Sequence, residues 1–265
     1  KRGKELGLNL QIEDSKNQVG VQYNQVQNFI ASGVDAIIVS PVDTDATVSI
    51  SDSAEAANIP LVYVNRQPIN VDRLPDNQAF IASNEVDSGT LQTKEVCRLL
   101  GGKGKLLVLM GSLTDQTGIQ RTKDIHDVIA TPECSGLSII DEQIGEWQRT
   151  EGNDIMTNWL SAGHKFDAVI ANNDEMAIGA VQALKASGVD MDKVVVAGID
   201  ATADALAAME ANEIDVTVFQ DAAGQGSGAV DAAMKLAQGE EVDQKIWVPF
   251  ELVTKENFHE YRDRN

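Results

Sequence analysis

Residues 29–40 read Phe-Ile-Ala-Ser-Gly-Val-Asp-Ala-Ile-Ile-Val-Ser and run on into Pro-Val-Asp at 41–43. Residues 159–171 read Trp-Leu-Ser-Ala-Gly-His-Lys-Phe-Asp-Ala-Val-Ile-Ala and run on into Asn-Asn-Asp at 172–174. Each stretch is a helix end closed by glycine, then a strand opening on Asp-Ala, then a polar cluster. Gly188, between Ser187 and Val189, predicts a third helix end of the same kind. Any α/β chain repeats this grammar, but the echo fits two similar lobes better than one long sheet.

Outward from these stretches the alternation continues. Apolar, β-branched runs recur at Leu8–Glu13, Pro60–Val64, Ala79–Ala82, Lys105–Met110, Leu137–Ile140, Val194–Gly198 and Val216–Phe219. Helical stripes lie between most of them: Val26, Phe29 and Ile30 in one, Ile155, Met156, Trp159 and Leu160 in another. Strands apolar at every position are covered on both faces, which predicts parallel sheets doubly wound with helices. Lys1–Gly7 reads as the last turns of a helix, so a first strand is expected upstream of Lys1.

Composition narrows the function. The 265 residues carry 43% hydrophobic side chains, enough for two cores. With 41 acidic and 21 basic residues the net charge is -20, which repels nucleic acid and anionic membranes. No apolar run reaches the roughly 18 to 20 residues a membrane-crossing helix needs. His126, His164 and His259 are scattered, and the two cysteines, Cys97 and Cys134, have no metal-ligand spacing. Phosphate-loop, dinucleotide, nucleophile-elbow and zinc-protease motifs are missing. Gly101-Gly-Lys-Gly104 precedes a strand instead of opening a helix, so it reads as a turn. Neither enzyme activity, a cofactor nor a metal is therefore expected.

In parallel sheets, ligands bind beyond the carboxyl ends of the strands. Those positions hold Asp43, Asn65-Arg66, Asn172-Asn173-Asp174, Asp200 and Gln220-Asp221, with Arg121 early in a helix and Trp147 after a strand. Carboxylates and amides accept from hydroxyls, arginine and amides donate to them, and an indole face packs on the C–H face of a sugar ring. This chemistry fits a sugar or polyol. Asp43 and Asn172 read as structural, Asn65, Asp174 and Asp221 as fit for either role, and the others gain weight as a set.

The segments Ala171–Ala180 (Ala-Asn-Asn-Asp-Glu-Met-Ala-Ile-Gly-Ala), Val196–Thr202, Val62–Arg66 and Val216–Asp221 resemble the periplasmic sugar-binding proteins of ABC transporters, ribose-binding type. The resemblance runs from Lys1 to about Val253. It implies two lobes joined by three hinge strands, with the ligand enclosed between them. The amino-terminal lobe would comprise 1–83 and 221–248, lacking its first strand; the carboxy-terminal lobe, 84–220 and 249–265. It further implies that Asn65, Arg66, Arg121, Trp147, Asn173, Asp200 and Gln220 bind ligand. Asn65 stands where the family has an acid, and Ile199 where it has an aromatic. Cys97 and Cys134 would share a lobe, paired in an oxidising compartment or else free and buried. The implied protein is a periplasmic monomer, its leader removed or lying outside this sequence, that takes a monosaccharide or a cyclitol, an inositol-like one favoured, to a membrane permease. The effector-sensing domain of a LacI-type regulator is the alternative.

Overall fold

A computed structural model describes residues 1–264. In chain order the elements are α1 (Arg2–Glu5), α2 (Val19–Ser32), β1 (Ile37–Val39), α3 (Thr47–Ala56), β2 (Leu61–Val64) and β3 (Gln78–Ala82). There follow α4 (Glu85–Leu99), β4 (Lys103–Met110), α5 (Gln116–Ile129), β5 (Gly136–Ile144), α6 (Arg149–Ser161), β6 (Ala168–Ala171) and α7 (Asp174–Ala186). The last are β7 (Val195–Ala197), α8 (Ala203–Glu210), β8 (Val216–Phe219), α9 (Ala222–Ala237), β9 (Lys245–Trp247) and β10 (Glu251–Thr254). The chain forms two compact units. The first holds Lys1–Ser83, Thr114–Gln116 and Ala222–Val248. The second holds Asn84–Leu113, Thr117–Asp221 and everything described from Pro249 onward. Two details differ from the expected boundaries: 114–116 groups with the first unit, and Asp221 with the second. Residue 265 lies outside the described residues.

The first unit carries a parallel sheet in the order β1-β2-β3-β9. Alternating side chains sort to its two faces. Ile37, Val39, Leu61, Tyr63, Phe80 and Ala82 pack with Val26 of α2 and Ile50 and Ala54 of α3. Val62, Ala79 and Ile81 point the other way, onto Ala229, Ala232, Ala233 and Leu236 of α9. β2 is apolar throughout and β3 is apolar after Gln78, because both faces of the sheet are covered there. The expected strand at Leu8–Glu13 does not form. A strand exists only within a ladder, no described residues pair with this segment, and Ile12 stays 86% exposed.

The second unit has six strands in the order β10-β8-β7-β6-β4-β5, parallel except for β10, which runs antiparallel to β8. Leu107 and Leu109 of β4 face Trp159 of α6 and Leu184 of α7. Leu106 and Val108 face Val96 of α4 and Ile125 and Val128 of α5. All four are fully buried, each stabilising by about 1.5–3 kcal/mol. β5 lies on one side of β4 and β6 on the other, so the winding reverses there. The carboxyl ends of β4 and β6 flank the crevice where such sheets take ligands.

Local grammar behaves as read. Gly33, Gly163 and Gly188 end their helices at φ of 67°, 76° and 71°. Of the expected Gly101–Gly104 turn, only Gly101 and Gly102 form it; Lys103 and Gly104 already belong to β4. There Gly102 has no room for a side chain, since a Cβ would lie 2.6 Å from the Glu133 carbonyl oxygen. That approach brings α4 beside Pro132–Cys134, and Cys97 and Cys134 are joined in a disulfide rather than left as free thiols.

Candidate functional site

In the second unit, five of the expected ligand residues gather around the ends of β4, β6, β7 and β8. Arg121, one turn into α5, is 3% exposed. Its Nε donates to Glu85 Oε2 at 2.8 Å, and its Nη1 donates to the Asn172 carbonyl at 2.7 Å. The guanidinium carbon lies 5.8 Å from the ring centre of Trp147 and 5.8 Å from that of Phe250. The Asp200 carboxylate is 3.9 Å away. Trp147 is in turn held by its neighbours. Its carbonyl accepts from Asn173 Nδ2 at 3.2 Å, and its indole fills the space over Gly111, where a Cβ would come within 2.1 Å of the ring. Asn173 Oδ1 caps α7 by accepting from the Met176 N–H at 3.0 Å. Asn173 is thus first a helix cap, with one amide hydrogen left over.

Asp200 and Gln220 share a short extension of the sheet. Asp200 N donates to the Val218 carbonyl at 2.8 Å, and Asp200 bridges to Phe219. Gln220 is 8% exposed, and its Nε2 is buried without a hydrogen-bond partner among the described residues. A buried donor left unmade costs about 1–3 kcal/mol. Loss of water around Asp200 raises its carboxyl above the usual range; Arg121 pulls it down, while Glu85 and Glu175 push it up. Asp174, which the sequence left between two roles, is structural. Its oxygens accept from Thr217 Oγ1 at 2.7 Å and the Thr202 N–H at 2.8 Å, and burial together with the Asp200 charge holds its carboxyl well above normal. Asn172 is structural too, accepting from the Gly111 N–H and Thr122 Oγ1.

The first unit supplies Asn65 and Arg66, directly after β2. Asn65 Nδ2 donates to Gln225 Oε1 at 3.2 Å. Arg66 Nη1 donates to the carbonyls of Pro41 and Val42 at 3.1 and 3.2 Å, and Nε lies 3.6 Å from Asp115 Oδ2. Asp43 accepts from the Asp45 N–H at 2.8 Å, a local turn bond in keeping with a structural role. Asn65, Trp147 and Asp200 have φ of 70°, 65° and 123°, a region that non-glycine residues rarely occupy. Such strain gathers where a fold aims side chains at a ligand.

A model of the periplasmic binding protein domain matches residues 1–241. The chain belongs to this family. It is 66% identical over 259 residues to the "Putative rhizopine-binding protein" of Rhizobium meliloti, covering 98% of this chain and 84% of that one. It is 29% identical over 255 residues to the ribose import binding protein of Bacillus subtilis, covering 96% and 80%. Among solved structures, an ABC transporter solute-binding protein from Bacillus halodurans with bound myo-inositol superposes at a TM-score of 0.93. It shares 42% identity and covers 100% of this chain and 91% of its own. The Caulobacter myo-inositol binding protein, bound to myo-inositol, superposes at 0.88 with 26% identity, covering 98% and 87%.

Set in a periplasmic binding protein, several residues near the expected set had no signal in the sequence. Glu85 lies far from Arg121 along the chain yet is its ion partner. Phe250 flanks Arg121 from the segment before β10. Gln225, from α9, holds Asn65 and donates to Ser83 Oγ at 2.9 Å. Gly111 could be found only as a glycine at the end of a strand, which is where a backbone makes room for a close neighbour.

Proposed function

We propose that this chain is the solute receptor of an ABC transporter, that it captures a cyclic polyol, and that an inositol-like cyclitol is the first candidate, ahead of pentoses and hexoses. The observation that carries the reading is the group formed by Gln220, Asp200 and Trp147. A buried, unmatched N–H donor and a carboxylate acceptor lie together at the ends of parallel strands, and Arg121 links the carboxylate to the indole plate. A ring with hydroxyls on its edge and C–H bonds on its face satisfies all three. The myo-inositol-bound relatives favour the cyclitol, and transport and binding proteins among the relatives favour this role over that of a regulator.

Asn65 and Arg66 complete the proposed set from the first unit. A ligand that binds one conformation of the receptor more tightly favours it by as much as its affinity for the two conformations differs. A permease would read that conformation. The role is one of capture without turnover, and the periplasm is its place, in keeping with the disulfide between Cys97 and Cys134.

The test is a thermal-shift screen of pentoses, hexoses and cyclitols. At about 100 times Kd, a ligand of the folded state adds ~2.7 kcal/mol, or about 5 to 10 °C in Tm. Asp200→Ala should abolish the shift, while Asp45→Ala, at an exposed turn, should keep it. A chain whose Tm responds to none of these compounds is not a polyol receptor.

A further inference from the structure

Arg121 lies between two carboxylates, hydrogen-bonded to Glu85 at 2.8 Å and ion-paired with Asp200 at the longer distance of 3.9 Å. Glu85 opens α4, immediately after Asn84, where the chain enters the second unit. Its Oε2 takes the Arg121 Nε–H at 2.8 Å, its Oε1 lies 3.4 Å from Nη2, and Ser88 Oγ donates to Oε2 at 3.1 Å. The Glu85 side chain is 10% exposed and that of Arg121 is 3%, whereas that of Asp200 is 29%. The helix amino terminus stabilises a carboxylate at this position. The planar guanidinium therefore docks on Glu85 through two nitrogens and keeps 3.9 Å from Asp200.

We propose that Glu85 is a positioning residue for ligand capture: its carboxylate holds the Arg121 guanidinium between Trp147 and Phe250 and prevents it from closing onto Asp200. Without Glu85, Arg121 would have Asp200 as its nearest carboxylate. The 3.9 Å ion pair with Asp200 would then tighten to hydrogen-bond contact, which would have to be broken before either group could meet a hydroxyl. The proposal rests on the polyol-binding reading for its consequence, but not for its geometry.

Glu85→Gln preserves the shape and removes the charge. In calorimetric titrations with myo-inositol, it should weaken binding by about tenfold or more, the worth of one charge-assisted hydrogen bond. Glu85→Asp should bind more tightly than Glu85→Gln, and Glu142→Gln, on the surface beside His126, should bind as wild type. A ligand-free readout separates this proposal from the functional one. The groups facing Asp200 are Arg121 on α5, Glu85 on α4, and Asp174 and Glu175 on α7. Removing the Glu85 charge and letting Arg121 move toward Asp200 both favour the ionised form. Carbon-13 NMR of labelled aspartate should therefore show Asp200 titrating at lower pH in Glu85→Gln. An unmoved Asp200 titration, or binding equal to wild type, overturns the proposal.

Wild-type protein supplies a readout that needs no variant. The Arg121 Nε–H signal should exchange slowly with solvent with and without myo-inositol, and loss of that protection on ligand addition would overturn the proposal. If the wild type binds no polyol, the proposed function fails, while the Asp200 titration and the Nε–H exchange still decide the Glu85–Arg121 contact.

Discussion

Asp124 shows what one buried oxygen does to stability. It is 1% exposed on the inner face of α5, with Oδ1 accepting from Gln120 Nε2 at 2.6 Å and Oδ2 buried without a hydrogen-bond partner among the described residues. Burial pushes its carboxyl up from 3.8 to about 7; Gln120 and Lys123 oppose the shift, and Asp127 and Glu85 add to it. The folded state thus holds a proton that the unfolded chain releases near pH 4. Linkage gives the sign: this group's stabilisation is full below about pH 4 and is lost as pH rises through about 7. Asp124→Asn, which cannot ionise, should flatten that slope and be more stable than wild type at pH 8 by about 1–3 kcal/mol. Urea unfolding at pH 5 and pH 8 checks this, and a variant with the wild-type slope would refute the assignment.

Between elements, glycine decides how closely backbones approach. α6 and α7 touch through Gly152 and Gly179. A Cβ at Gly152 would lie 2.5 Å from the Met176 carbonyl oxygen, and one at Gly179 2.1 Å from the Arg149 carbonyl oxygen. Both obstacles are backbone and cannot rotate away. Gly179→Ala should therefore destabilise the protein by about 1–3 kcal/mol, as overpacking does. Gly226, inside α9, has nothing within 4 Å of its would-be Cβ. Gly226→Ala should stabilise by about 0.5–1 kcal/mol, because only helix propensity changes there. Opposite shifts in the urea midpoint are the expected result. The same approach sets the site, since the Trp147 indole lies over Gly111 only because that position has no side chain.

For the whole molecule, the disulfide between Cys97 and Cys134 spans 37 residues of the second unit. Closing a loop of that length in the unfolded chain is worth about 3–4 kcal/mol on the chain-entropy model. Reduction, or the double change Cys97→Ala with Cys134→Ala, should lower Tm; an unchanged Tm on reduction would show the bond to be dispensable. Both sulfur atoms belong to one core, which also holds Val96, Ile125 and Leu137, so the bond braces the core on which α5, the helix of Arg121, packs. A net charge of -20 repels nucleic acid and anionic surfaces.

Local signals along the chain settle the class of fold and the places where chemistry gathers. Periodicity and apolar runs are local signals of which side chains must leave water, and they were enough to locate β1 to β8, the glycine-ended helices and the polar residues at strand ends. Asp43 and Asn172 already read as structural. Tertiary structure alone decided the rest. The segment at 8–13 has strand composition but no ladder partner among the described residues, and β9 (Lys-Ile-Trp) and β10 (Glu-Leu-Val-Thr) lack a continuous buried apolar run, so only β3 and β8 beside them fix them. Glu85 is unremarkable in sequence until folding brings α4 against α5, and nothing local marks Cys97 as the partner of Cys134. Composition dictates burial through solvent, which acts on each residue separately. Pairing needs two distant residues in one place, and only the closed fold supplies that.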